Sequence, residues 1–262
     1  MGHTRIGVLP ATRRWKDLID LIAEQASAPR VAEATTHAWE GAFNHIRDDA
    51  GFREAVHLLL QLGVAGRSDN PTEHLGSAGV ELKSASSVVE VAMALSEAME
   101  RRMAGSRHRS DFGVLAERAL VAAVTEHLQA RMPTLLEPTS DDIGSAVKGL
   151  GREKAFGELS RSFFGRMANE CLSYFLSKTL PAQVGMTRRF ATTGQLAGFE
   201  DALRTHCAEA SKIVETFGAE SFSKHYHEGG GRIGRDTAEK FGWVGLEKMR
   251  RELAARGRTY AD

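Results

Sequence analysis

The chain has 262 residues, 42% of them hydrophobic and 26% charged, which supports one large core or two smaller ones and excludes the composition of a disordered protein. Its 34 Lys and Arg balance 34 Asp and Glu, so no global field steers it to nucleic acid or an anionic membrane, and only a local patch can do so. The first residues lack the long apolar run of a signal peptide, and no segment approaches the roughly 18 apolar residues of a membrane span, so a cytoplasmic protein without membrane association is expected.

Periodicity throughout is helical. Residues 1–11 form a non-helical lead ending at Pro10, and a first helix begins near Thr12 with Trp15, Leu18, Ile19, Leu21 and Ile22 on its apolar side. A second starts at Pro29 and lines up Val31, Ala34, Ala38, Ala42 and Ile46, with Trp39 and Phe43 widening the stripe. A third covers about 51–64, and the polar stretch 67–79 reads as an exposed loop in which Asn70-Pro71 marks a turn or short helix start. Helical spacing resumes over about 84–104, ending at Gly105, and again over 110–131, where Ser110 or Asp111 supplies the cap.

The segment 132–142 carries two prolines and is the best internal boundary, dividing lobes at 1–131 and 143–262 unless the two merge into one continuous domain. Thr139 and Asp142 have capping spacing for the helix that follows. Residues 152–180 carry a broad phenylalanine-rich face, stopped by Pro181. After a basic loop, Met186–Gly194, the most regular stripe of the chain (Leu196, Phe199, Leu203, Cys207, Ala210, Val214, Phe217) predicts one helix running to Gly218. Asp236 and Glu239 then read as a capping box for a last helix through about Ala255. The expected fold is all-α, a multi-helix bundle of roughly eight to ten helices.

No motif of comparable strength sits on this framework. In HYHEGGGRIGR, residues 225–235, Gly229, Gly231 and Gly234 have dinucleotide-binding spacing, but the strand that such a motif requires is missing before them. A glycine hinge is the plainer reading, with Arg232 and Arg235 as candidate anion-binding residues beside it. His225 and His227, with Glu228 and with His206 or Cys207 from the preceding helix, are the alternative metal ligands, although His-x-His alone does not bring three or four groups together. Cys171 and Cys207 lie on separate helices and are not expected to form a disulfide in a reducing compartment.

Arg102 and His108 have the Arg-x(4–6)-His spacing associated with HEPN ribonucleases, small all-α enzymes. That pattern implies an arginine on the RNA phosphate and a histidine transferring a proton at the ribose hydroxyl. Met103 stands where a polar residue usually follows the arginine, and the spacing recurs at Arg30 and His37, Arg67 and His74, and Arg101 and His108. Asp111-Phe112-Gly113 spells a kinase metal motif without its partners and reads as a helix start.

Basic residues crowd two places. Arg5, Arg13, Arg14 and Lys16 face no acid near the N-terminus, while Lys248, Arg250, Arg251, Arg256 and Arg258 concentrate on the last helix. Cations there complement the helix dipole, and Arg250, Arg251 and Arg256 are the candidate partner-binding residues, with Trp243 and Tyr260 available for stacking on nucleic acid. The expectation is a non-enzymatic accessory or scaffold protein without a cofactor, acting through a protein partner and open to self-association, with a subunit of a bacterial multi-protein system as one form of that role. A metal-independent ribonuclease and non-catalytic nucleic-acid binding by the basic helix are the alternatives.

Overall fold

The computed structural model describes residues 2–4, 13–38, 46–82, 87–104, 108–132 and 139–259. The fold is all-α, with one minor β element: strand β1, Gly2–Thr4, pairs in parallel with β2, His108–Ser110. The N-terminal helices are α1, Arg13–Ala23, and α2, Ala28–Ala38. Trp15, Leu18 and Ile22 of α1 are buried as their spacing requires, whereas Ala42, Trp39, Phe43 and Gly105 lie outside the described residues.

Helix α3, Ala50–Gly66, starts where the Asp49 carboxylate accepts a hydrogen bond from the Phe52 N–H at 2.9 Å. It is buried nearly all round. Residues 67–79 are more structured than an exposed loop: Asn70 caps the short helix α4, Pro71–Ser77, and Leu75 is fully buried. Helix α5, Val88–Ala104, is followed by α6, Asp111–Gln129, which Ser110 caps through the Gly113 N–H. The Asp-Phe-Gly sequence is thus a helix start, with Phe112 in the core.

Helix α7, Ser140–Leu150, opens with the reciprocal capping box of Thr139 and Asp142. Helix α8, Glu153–Leu176, buries one broad face, on which Phe156, Phe163, Phe164, Met167 and Leu172 are 0% exposed, and leaves a polar stripe outward. A single 3-10 turn, Leu180–Gln183, follows it. The basic loop then anchors the N-terminal region, as Arg189 donates to the carbonyls of Ile22 at 2.9 Å and Ala26 at 2.5 Å.

The predicted single helix to Gly218 is two helices. Helix α9 spans Thr193–Ala210 and α10 spans Lys212–Glu228, hinged at Ser211, whose own backbone is helical (φ −71, ψ −9) but whose carbonyl accepts from the Val214 N–H three residues on. The break lets α9 and α10 bind α8 separately. Gly157 and Gly165 of α8 and Gly218 of α10 have no Cβ where backbones and small side chains close in: a Cβ on Gly157 would lie 2.6 Å from the Glu215 carbonyl oxygen.

Helix α10 also runs ten residues past Gly218, through the stretch expected to be a polar hinge. It ends in a Schellman motif: Gly231 N–H donates to the Tyr226 carbonyl at 2.8 Å and Gly230 N–H to the His227 carbonyl at 3.2 Å, with Gly230 at φ +59. Gly229 and Gly231, two of the three glycines with dinucleotide-binding spacing, are therefore, with Gly230, a helix terminator. The last helix, α11, Arg235–Thr259, begins without the expected capping box, and Glu239 instead bonds Arg53 at 3.0 Å.

Helix α11 packs on α2 and α3, and α6 on α3 and α8, so elements from both sides of residues 132–142 share one hydrophobic cluster extending from Trp15 to Leu253. At its centre Phe156 stacks on Phe222 (4.1 Å between ring centroids), and Phe241 of α11 contacts Phe156, Phe164 and Phe217.

Candidate functional site

The sequence candidates fall at separate places. Arg102, in the last turn of α5, extends its Nε to 3.6 Å from the Glu54 Oε1 of α3. His108 belongs to β2, with its backbone opposite Gly2, and its side chain lies outside the described residues. The other pairs of the same spacing are structural. Arg67 donates to the Gly151 carbonyl at 2.8 Å and lies over the rings of Phe222 and Tyr226, while His74 Nε2 is 3.0 Å from Gln61 Oε1, and Arg30 bonds Glu33.

Arg232 is exposed in the loop after α10, whereas Arg235 makes a two-point ion pair with Glu54. His225 and His227 occupy the last turn of α10, where a spacing of two turns them to opposite sides of the helix. His225 Nδ1 is 2.7 Å from the Ser221 carbonyl, so its ring is turned back on its own helix. Among the described residues no three His, Cys, Asp or Glu side chains converge as metal ligands.

His206 and Cys207 are buried in α9, and burial pushes the Cys207 thiol up to about 12, leaving it unreactive near neutral pH. Cys171 is likewise a free, buried thiol pushed well up by burial.

The basic C-terminal side chains are largely answered within α11. Arg250 makes a bidentate pair with Glu247 at 2.8 and 2.9 Å, Arg251 adds a third bond to the same carboxylate at 2.8 Å, and Arg256 bonds Glu252 at 2.7 Å. The Arg250 and Arg251 hydrogen bonds hold the Glu247 carboxyl at about 2. The outward field of this cluster is correspondingly weaker than its count of arginines implies. Arg5 and Tyr260 lie outside the described residues, as does the side chain of Arg258.

A groove of about 820 Å³ runs along α8 between α6 and α9, reaching the start of α10. Its base is the outward stripe of α8, where Glu158, Arg161, Ser162, Arg166, Asn169 and Glu170 recur at intervals of three and four over about 18 Å of helix. Gly165, Ala119, Ala122 and Ala208 keep it open, because none carries a side chain longer than a methyl.

Acid and base alternate across it. Arg166 bonds Glu126 of α6 at 2.7 Å, with Ser162 on the same oxygen at 3.2 Å, and Arg161 bonds Glu215 at 3.0 Å. Arg118 reaches Glu170 at 3.9 Å. The Arg166 hydrogen bond holds Glu126 below the usual carboxylate range, so it is ionised at neutral pH. Burial and Arg131 push His127 down, leaving a neutral imidazole on the groove wall. The Asn169 amide oxygen is buried, with no hydrogen-bond donor among the described residues.

Compared with protein-family models, with curated proteins and with solved structures, the chain matches none. The groove was not found from sequence. Its signal was the polar counter-stripe of the phenylalanine-rich helix, and only the packing of α6 and α9 on either side distinguishes a groove from an ordinary solvated face.

Proposed function

We propose that the protein is a non-enzymatic binding protein that receives a charged segment of a partner protein in the groove along α8. The observation that carries this reading is the open groove with its alternating ladder of acid and base. A segment carrying both signs of charge would exchange the ladder's internal pairs for intermolecular ones. Such pairs confer partner choice and register more than raw affinity.

The test is recovery of the partner from native extract by wild type and by two variants, Ala122→Arg, which fills the groove from its α6 side, and Arg166→Glu, which inverts one rung. Both variants are expected to keep a helical spectrum and to lose the same protein that wild type retains. Equal recovery by wild type and both folded variants contradicts the reading.

A further inference from the structure

A second cavity, of about 350 Å³, lies at the corner between α7 and α8, lined by Arg131, Ser145, Lys148, Gly149, Arg152 and Ala155. Three of these side chains carry a positive charge and none a negative one. Among the described residues no carboxylate forms an ion pair with Arg131, Lys148 or Arg152. The neighbouring acids are engaged elsewhere: Asp142 in the Thr139 cap at the far end of α7, Glu126 with Arg166, and Glu158 at 3.8 Å from Lys154. Asp141 opens α7, about 10 Å of helix before Lys148, and Glu153 lines the adjoining cavity with Lys154 and Glu215.

The C-terminal ends of α6 and α7 border this cavity and together carry about one negative charge, which the three cations exceed. Helix α8 begins at Arg152 without a side-chain cap, so no side chain takes up its leading N–H groups, and Ala155 of that first turn is in the cavity wall. The corner is held in place from two sides. Arg131 donates from Nη1 to the His127 carbonyl at 2.6 Å and rests on Gly149, where a Cβ would lie 3.1 Å from its Nε. Gly151, between the two helices, approaches Gly66 so closely that a Cβ on it would lie 2.3 Å from the Gly66 carbonyl carbon, and Arg67 donates to the Gly151 carbonyl at 2.8 Å. A guanidinium has five N–H donors. That of Arg131 makes a single hydrogen bond among the described residues, and the side chains of Lys148 and Arg152 make none there.

From this convergence we infer that the cavity binds a phosphate-class oxyanion between Arg131, Lys148 and Arg152, with the Ser145 hydroxyl as a neutral donor. The fixed guanidinium of Arg131 offers a planar fork to the oxyanion, and Lys148 and Arg152 supply charge from the corner beside it. The volume admits a phosphate or diphosphate group, and the source is either inorganic or the phosphate end of a nucleotide.

Isothermal titration of the full chain with inorganic pyrophosphate, and separately with ADP, at low and constant ionic strength tests this. Wild type is expected to bind, and Lys148→Gln and Arg152→Gln, both at exposed positions, are each expected to bind roughly tenfold more weakly, the loss of one charge-assisted contact. Arg188→Gln on the exposed basic loop is expected to leave binding unchanged, which separates this cavity from general attraction to cations, and circular dichroism monitors folding. Tighter binding of ADP than of pyrophosphate assigns a nucleotide, and equal or weaker binding of ADP assigns the phosphate alone. Absence of wild-type binding at millimolar pyrophosphate and ADP, undiminished binding by either folded variant, or an equal loss in Arg188→Gln overturns the proposal.

Discussion

Glu54 makes the cost of breaking its ion pairs depend on which partner is removed. Replacing it with Gln returns two half-exposed guanidiniums to water and leaves an amide in the carboxylate's place, so the expected loss is about 1 kcal/mol. Removing Arg102 and Arg235 together strands a buried carboxylate, and about 3 kcal/mol or more is expected. Urea unfolding of Glu54→Gln and of the Arg102→Ala, Arg235→Ala pair checks this, and the reverse order would show that Glu54 is not held as described. At this scale Arg235 stood out in the sequence as a candidate for anion binding, and in the structure its guanidinium is taken up by Glu54, which no local pattern indicated. Arg235 and Glu54 are separated by 181 positions, and nothing in a local pattern links them.

At the scale of elements, apolar stripes located the helices because burial imposes the 3.6-residue period directly. The capping residues at Ser110 and Thr139 were legible for a similarly local reason. The hinge at Ser211 was not. Leu203, Cys207, Ala210 and Val214 continue one stripe through it and are all buried, so the sequence pattern has no gap where the backbone changes its hydrogen bonding. Likewise the stretch after Gly218 looked like a loop because it is polar, yet Phe222 alone is buried deeply enough, stacked on Phe156, to hold that part of α10 in place. Leu203→Asp and Phe163→Asp, at 1% and 0% exposure, are each expected to cost roughly 3 kcal/mol or more by placing an unpaired charge in the core. Thermal melting checks both variants, and a wild-type melt in either would show that its helix face is not part of the core.

For the whole molecule, stability in mildly acidic solution is governed by histidines. His57, His74, His127 and His206 all have their pKa lowered, mainly by burial. The unfolded chain takes up protons at these positions near pH 6.5, while the folded chain stays neutral until lower pH. In that window the unfolded state binds more protons, so stability falls as the pH falls. Glu126 and Glu247, whose pKa values are also lowered, act only below the ordinary carboxylate range and cannot account for a change above pH 5. The melting temperature is expected to drop between pH 7 and pH 5, and a flat or rising profile would contradict the protonation states assigned to these side chains.

The binding role assigned to the groove is tested most directly by position-specific cross-linking. A photoreactive residue at Ala122, on the α6 side of the groove, is compared with one at Met186, which is 96% exposed and outside the groove. In native extract the Ala122 probe is expected to capture one discrete protein that the Met186 probe does not. Capture of the same protein at Met186, or no adduct at Ala122 from an extract in which the partner co-purifies with wild type, would show that the groove along α8 is not where the partner binds.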